Sequence, residues 1–270
     1  MIPAPHDTDA GPAIRPSSRG LASTIVPLVF AFVRVPLIAA AAAVTVGLLA
    51  AFGVAASFPV STLSALYLAP VNVASLLLLR WALHRDGRRI RDLIRFDRSR
   101  LGRDVLWGLL WLMVLYLPFA AAIVGTMLLL YGADAFISFE AVFAPADGFV
   151  AMPQALAIVF AVVVVITFAP LNAPTEELVY RGYAQGGLRG ALGATPAIVI
   201  PALGFGVQHI FFAATLPGMF VFAVAFFVWG LGAGVIYLRQ GRLMPLILCH
   251  VIVNLFTSLP ALIVPFVTGS

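Results

Sequence analysis

The chain has 270 residues, of which 62% are hydrophobic and only 10% charged, and its formal net charge is +5. Soluble domains are roughly 45–50% apolar and about 25% charged, so this composition excludes an ordinary soluble domain. The apolar runs are long and continuous rather than alternating, which disfavours a β-barrel. The length and composition therefore predict an all-α polytopic bundle of about seven spanning helices.

The amino-terminal half begins with residues 1–20, which are rich in Pro, Ser, Asp and Gly and are predicted to form a disordered cytoplasmic tail. The following segment, 21–149, is predicted to hold the amino-terminal transmembrane helices. Hydropathy places its spans near 25–52, 59–79 and 105–131. We expect Arg34 to mark the cytoplasmic shoulder of the first span.

An arginine-rich segment, 80–103, separates the second and third spans and contains nine of the sixteen arginines; the chain has no lysine. Ile90, Leu93 and Ile94 recur at helical spacing and predict a short amphipathic helix at the membrane interface. Arginine-rich loops usually lie on the cytoplasmic side, against anionic headgroups. The segment is therefore expected to contact the lipid bilayer, and no nucleic-acid partner is expected because aromatic interleaving is sparse.

The carboxyl-terminal half, 150–265, is predicted to form a catalytic transmembrane core. Its spans are expected near 150–172, 194–213, 218–238 and 243–265, with a glutamate-containing segment at 174–189. Pro170 and Pro174 lie before that segment and predict that the helix there is kinked or broken. The arginines place the amino terminus in the cytoplasm and the carboxyl terminus outside, and the all-Arg, Ala-rich usage suggests a bacterial inner membrane.

Glu176 and Glu177 are adjacent acidic residues in a half of the chain that has little other charge. From residue 148 onward the charged residues are Glu176, Glu177, Arg181, Arg189, Arg239 and Arg242. A charge at the centre of a bilayer costs roughly 2.5–3.5 kcal/mol on insertion scales. Two neighbouring carboxylates at this place therefore indicate a functional site more than a structural one.

Helix lengths allow other polar residues to reach the glutamates. Glu176 and His209 lie at similar distances on either side of the glycine-rich turn at 190–193, roughly 20–25 Å along their helices. His250 and Asn254 follow the turn at 239–242 by roughly 15–20 Å. Three helices can therefore bring these four side chains to a comparable depth.

Three motifs contain these residues. Glu176-Glu177-Leu-Val-Tyr-Arg181 reads E-E-x-x-x-R, Phe205-Gly-Val-Gln-His209 reads F-x-x-x-H, and His250-Val-Ile-Val-Asn254 reads H-x-x-x-N. In this order, over roughly 150–260, they resemble the CPBP family of intramembrane proteases. That family contains the type II CAAX prenyl endopeptidases and the bacteriocin-processing and immunity (Abi) proteins.

The resemblance implies hydrolysis of a peptide bond near the cytoplasmic side of the membrane, in a membrane-associated peptide or protein. It implies that Glu176 and His209 activate a water molecule. It further implies that His250 and Asn254 stabilise the oxyanion, with Glu177, Arg181 and Phe205 in support. Buried amide and imidazole donors suit such a role.

Other interpretations of the same residues remain open. Glu176, His209 and His250 could instead be three ligands of a divalent metal such as zinc, although H-E-x-x-H is absent. Intramembrane Glu, Arg and His also occur in proton-coupled transporters, which often contain two related halves that we do not detect here. A non-catalytic immunity or scaffold protein is a third possibility.

Overall fold

The computed structural model describes residues 22–145, 150, 153–259 and 262–263, and within these ranges the chain is helical and contains no strand. The α-helices are α1 (Ala22–Phe32), α2 (Arg34–Ala51), α3 (Ser64–Arg85), α4 (Ile90–Ile94), α5 (Leu101–Tyr131), α6 (Phe139–Phe143), α7 (Gln154–Thr167), α8 (Ala173–Glu176), α9 (Gly186–Leu192), α10 (Ala194–Gln208), α11 (Leu216–Gln240) and α12 (Met244–Ser258).

Six helical stretches of this described part are long and apolar enough to cross a membrane, and α12 is a shorter apolar helix. The six stretches are Thr24–Ala51, Ser61–Arg85, Ile90–Asp134, Gln154–Leu192, Ala194–Phe212 and Leu216–Gln240. The all-α polytopic bundle expected from composition is therefore confirmed. The predicted tail, 1–20, and the last residues of the seventh predicted span lie outside the described residues.

The first span contains a buried arginine whose partners the sequence did not indicate. α1 and α2 follow one another directly, so that Arg34 lies inside the stretch Thr24–Ala51, as its expected span has it. The residue is fully buried, with 0% exposure, and other helices supply acceptors for its guanidinium. Its place at a cytoplasmic shoulder stays a prediction.

The segment that contains the glutamates is continuous with the helix before it. Between α7 and α8 the backbone is π-helical at Phe168–Asn172, and a second π-helical stretch, Glu177–Gln185, follows α8. Pro170 lies in the first π-helical stretch, and Pro174 lies in the first turn of α8. A proline lacks the N–H group that regular α-helical bonding needs, and here the helix widens locally and is not broken.

The amphipathic helix of the arginine-rich segment is present but short. α4 has five residues. It is capped at its amino-terminal end by a hydrogen bond of 2.7 Å from the backbone N–H of Arg89 to the side chain of Asp92. Leu93 is buried and belongs to the main hydrophobic core, together with Leu178 and Leu243. The apolar face of α4 thus packs on the bundle, while Arg91 and Arg95 stay exposed.

Glycines allow α10 to pack closely against its neighbours. A Cβ on Gly204 would overlap the backbone carbonyl of Ala31 in α1. A Cβ on Gly230 of α11 would lie 2.9 Å from the Cα of Ala202. These contacts hold α10, which carries His209 at its carboxyl end, between the first span and α11.

Candidate active site

Glu176 and Glu177 lie at the junction of α8 and the second π-helical stretch, and both are buried, with 0% and 1% exposure. π-helical turns occur frequently at functional sites because they displace side chains from α-helical positions. The two carboxylates contact different partners. Each has a bonded Oε1 and an Oε2 without a hydrogen-bond partner among the described residues, so the partners of Oε1 distinguish the two glutamates.

The two oxygens of Glu176 have unequal surroundings. Oε1 accepts from Nη2 of Arg34 over 3.0 Å and from Nε2 of Gln208 over 2.8 Å. Oε2 has no hydrogen-bond partner in the described part of the chain, and Nε2 of His250 lies 3.5 Å from it. One oxygen is thus fixed by the protein and the other faces the histidine.

Glu177 connects the first and third motifs. Its Oε1 lies 3.4 Å from Nη1 of Arg181, four residues later in the chain. The same oxygen accepts from Nδ1 of His250 over 3.0 Å. The guanidinium of Arg181 also lies over the ring of Phe205, 4.5 Å from its centroid. Glu177 therefore orients His250 and is itself held by Arg181.

His209 begins a 3₁₀ turn, His209–Phe212, at the end of α10. Its Nδ1 lies 2.6 Å from the carbonyl oxygen of Phe205. A carbonyl only accepts, so Nδ1 carries the hydrogen and Nε2 is the unprotonated nitrogen of the neutral ring. The ring stacks on Phe226 with a centroid distance of 3.5 Å and also contacts Phe205 at 4.6 Å.

His209 follows α10 and is connected to Glu176 through its neighbour. Gln208, the residue before His209, bonds directly to Glu176, and Oε2 of Glu176 lies 3.5 Å from Nε2 of His250. The predicted convergence is therefore found for Glu176 and His250, whereas direct contact of Glu176 with His209 and with Asn254 stays a prediction. The phenyl ring of Phe205, which contacts His209, also lies 6.1 Å from the His250 ring.

Asn254 lies one turn beyond His250 on α12 and is 5% exposed. Its Nδ2 has no hydrogen-bond partner among the described residues. A buried amide donor without a partner is uncommon and requires an explanation. A bound water molecule or a substrate oxygen would satisfy it.

Several polar residues around Glu176 were missed by the sequence analysis. Arg34, Asn72, Ser75, Asn172 and Gln208 are all buried. Each is a polar residue in an otherwise apolar helix, and that was the available signal. No spacing rule connects Arg34 with Glu176, because 142 positions separate them.

The charge beside the carboxylate disfavours a zinc site, although the histidines do not. Nδ1 of His209 and of His250 are bonded to Phe205 and Glu177, which leaves Nε2 of each ring available, as in metal-bound histidines. The guanidinium of Arg34, 3.0 Å from Oε1 of Glu176, opposes the binding of a divalent cation to the same carboxylate. No group of three or more His, Cys, Asp or Glu side chains in the described ranges is arranged to hold a metal ion.

Residues 155–256 match the sequence model of the family described as Rce1-like, type II CAAX prenyl endopeptidase. The matched range contains all three motifs, so the resemblance that they predicted is confirmed for this part of the chain. The match to this family implies that the chain is a membrane protease. No curated protein and no solved structure matches the chain significantly.

Proposed function

We propose that the protein is an intramembrane endopeptidase that hydrolyses a peptide bond of a membrane-associated peptide or protein by a water molecule activated by Glu176 and His209. The observation that carries the proposal is the asymmetry of the Glu176 carboxylate. Its Oε1 accepts from two protein donors, whereas its Oε2 is buried without a hydrogen bond among the described side chains. A carboxylate oxygen without a protein donor can take a proton from water, as a general base does. Oε2 of Glu177 also lacks a partner among the described residues, but Oε1 of that residue is engaged with Arg181 and His250, which suits a supporting role.

In the proposed reaction, a water molecule lies between Oε2 of Glu176 and Nε2 of His209. Glu176 takes one proton from the water as its oxygen attacks the carbonyl carbon. His209 orients the water through its unprotonated Nε2. When the C–N bond breaks, Glu176 returns the proton to the leaving amine nitrogen, and the hydroxyl remains on the new carboxyl group.

The oxyanion of the tetrahedral intermediate is assigned to His250 and Asn254. Nδ2 of Asn254 has no partner among the described residues and is free to donate. Nδ1 of His250 is bonded to Glu177, and Nε2 lies on the side of Oε2 of Glu176. Removal of one preorganised donor of this kind typically lowers kcat by roughly 10²–10³-fold.

The substrate class is proposed from the matched family and from the setting of the site. A type II CAAX prenyl endopeptidase acts on a peptide that carries a lipid, and here the site lies among helices long enough to span a bilayer. We propose that the substrate is held in the membrane by a lipid or an apolar segment. The positive-inside rule places the amino terminus and the arginine-rich segment on the cytoplasmic side, from which the substrate would enter.

The test uses the full chain purified in detergent and reconstituted in liposomes. Three probes are incubated with it: a farnesylated peptide ending in Cys-aliphatic-aliphatic-X, the same peptide without the farnesyl group, and a single-span transmembrane peptide. Mass spectrometry identifies the cleaved bond. Cleavage of any probe by the wild-type chain, and its loss in Glu176→Gln, is the expected result.

Full activity in Glu176→Gln would contradict the mechanism. If the wild-type chain cleaves none of the three probes, the proposed substrate class is contradicted and the scaffold or transport alternatives are favoured. A comparison of the two Cys-aliphatic-aliphatic-X peptides shows whether the lipid is recognised, because they differ only in the farnesyl group.

A further inference from the structure

Arg34 is a buried charge that the three motifs do not explain. It lies outside the range that matches the family, in the first membrane span, and its side chain has no exposed surface. A guanidinium removed from water is strongly destabilising unless its donors and its charge are compensated. Its partners therefore indicate why a membrane helix tolerates it.

All five N–H donors of the Arg34 guanidinium have an acceptor. Nε donates to Oε1 of Gln208 over 2.9 Å, and Nη1 donates to Oδ1 of Asn72 over 2.8 Å and to Oγ of Ser75 over 3.2 Å. Nη2 donates to Oδ1 of Asn172 over 3.1 Å and to Oε1 of Glu176 over 3.0 Å. A guanidinium has five such donors, so its capacity is fully used.

Arg34, Gln208 and Glu176 form a closed triangle of hydrogen bonds. Gln208 accepts from Arg34 through Oε1 and donates to Glu176 through Nε2. The hydroxyl of Tyr180 donates to the same Oε1 of Gln208 over 2.9 Å, which fixes the orientation of the amide. The carboxylate of Glu176 cannot turn over without breaking two bonds at Oε1.

This triangle determines which oxygen of Glu176 faces the reaction. Oε1 is occupied by Arg34 and Gln208, so Oε2 is the oxygen on the side of His250. The positive charge of Arg34 also balances the negative charge of the carboxylate at bilayer depth, where an unpaired anion is costly.

We infer that Arg34 is a positioning residue of the proposed active site, which with Gln208 fixes Oε1 of Glu176 so that Oε2 is presented to water. The inference rests on the proposed function. Arg34 acts through the carboxylate and contributes no atom to the reaction. The simpler alternative is that Arg34 only ties the first span to α3 and α10.

The experiment compares Arg34→Met, which removes the charge and all donors, with Arg34→Lys, which keeps the charge but not the planar fork. Gln208→Leu removes the second donor to Oε1. The matched control is Arg242→Met, which breaks another long-range Arg–carboxylate pair. Arg242 lies between α11 and α12, and its partner Asp104 lies in α5. Cleavage of the farnesylated peptide gives kcat and KM, and thermal unfolding gives the stability of each variant.

A second measurement does not depend on cleavage. The infrared difference between the wild-type chain and Glu176→Gln isolates the carboxylate band of Glu176. Loss of donors at one oxygen changes the symmetry of the carboxylate and hence the frequency of this band. We expect the band to shift in Arg34→Met and Gln208→Leu and to stay at its wild-type frequency in Arg242→Met.

For activity, we expect kcat of Arg34→Met to fall on the order of 10²-fold at nearly constant KM, as for a misplaced catalytic group. Arg34→Lys should recover part of this loss. If Arg34→Met does not fold, Arg34→Lys and Gln208→Leu carry the same test, since each removes only part of the network.

Unchanged kcat and an unchanged Glu176 band in folded Arg34 and Gln208 variants, with only a lower Tm, would assign Arg34 to helix tethering and overturn the inference. In that case an inactive Glu176→Gln would still support the proposed function. Conversely, a shifted band together with an active Glu176→Gln would show that Arg34 holds the carboxylate but that Glu176 is not the base, so the positioning role would also be overturned.

Discussion

Nη2 of Arg34 donates to Oε1 of Glu176 over 3.0 Å, and neither side chain has exposed surface. The pair joins the first membrane span to the helix that carries the glutamates. It compensates two charges that would each be costly alone in the bilayer. It also gives the carboxylate one bonded oxygen and one that is left for chemistry. Several consequences of this asymmetry can be measured.

The two adjacent glutamates should respond differently to the same substitution. Glu176→Gln replaces the proposed base, so we expect cleavage of the farnesylated peptide to fall by at least roughly 10²–10⁴-fold, the usual contribution of general-base catalysis. Glu177→Gln keeps a polar group beside His250 and Arg181 but removes the charge, so the expected loss is smaller. Steady-state kinetics of both variants provides the measurement. Equal losses would contradict the separation of the two roles.

The side chain of Asn254 should matter for activity and little for stability. Its Nδ2 has no hydrogen-bond partner in the described residues. Asn254→Ala therefore removes a buried donor that contributes no hydrogen bond to the stability of the resting protein. We expect kcat to fall about 10²–10³-fold, as for the loss of an oxyanion donor, and Tm to stay unchanged or rise. A marked decrease of Tm at nearly full kcat would show that Asn254 is a structural residue instead.

Cleavage should not depend on a divalent metal. The guanidinium of Arg34 already compensates the charge of Glu176, and no group of three or more His, Cys, Asp or Glu side chains in the described ranges is arranged to hold a metal ion. We therefore expect prolonged dialysis against a chelator to leave kcat/KM unchanged, and added zinc not to increase it. Elemental analysis of the purified protein is the control. Activity that disappears with the chelator and returns with one metal would support the zinc alternative.

The spans and the site motifs could be predicted from sequence because both depend on local pattern. Long apolar runs specify membrane helices, and E-E-x-x-x-R, F-x-x-x-H and H-x-x-x-N place their residues at helical spacing. The contact of Arg34 with Glu176 could not be predicted, because it depends on how the first span packs against α8 and α10. Pro170 and Pro174 left the local structure undecided for a related reason: a proline indicates a disturbed helix, but neighbouring helices determine whether it breaks or becomes π-helical.

The close contact between α1 and α10 should be sensitive to one methyl group. Gly204 lies five residues before His209, and a Cβ on it would overlap the carbonyl of Ala31. We expect Gly204→Ala to separate the two helices and to lower Tm and activity together. Gly125→Ala is the matched control, because Gly125 lies within α5 with nothing within 4 Å of the added Cβ. The free energy of unfolding of the control should rise by about 0.5–1 kcal/mol, because alanine has a higher helix propensity than glycine. A folded, fully active Gly204→Ala protein would contradict the packing at this contact.

The orientation of the bundle can be tested by labelling single cysteines. The chain has one cysteine, Cys249, which is buried, so Cys249→Ser provides a background without accessible thiols. Ser99→Cys lies in the exposed part of the arginine-rich segment, and Ile137→Cys lies in the exposed turn after α5, where Ile137 is 80% exposed. The positive-inside rule predicts that, in intact cells, an impermeant maleimide labels Ile137→Cys and labels Ser99→Cys only after the membrane is permeabilised. The reverse pattern would place the arginine-rich segment outside and would require the proposed cytoplasmic entry of the substrate to be abandoned.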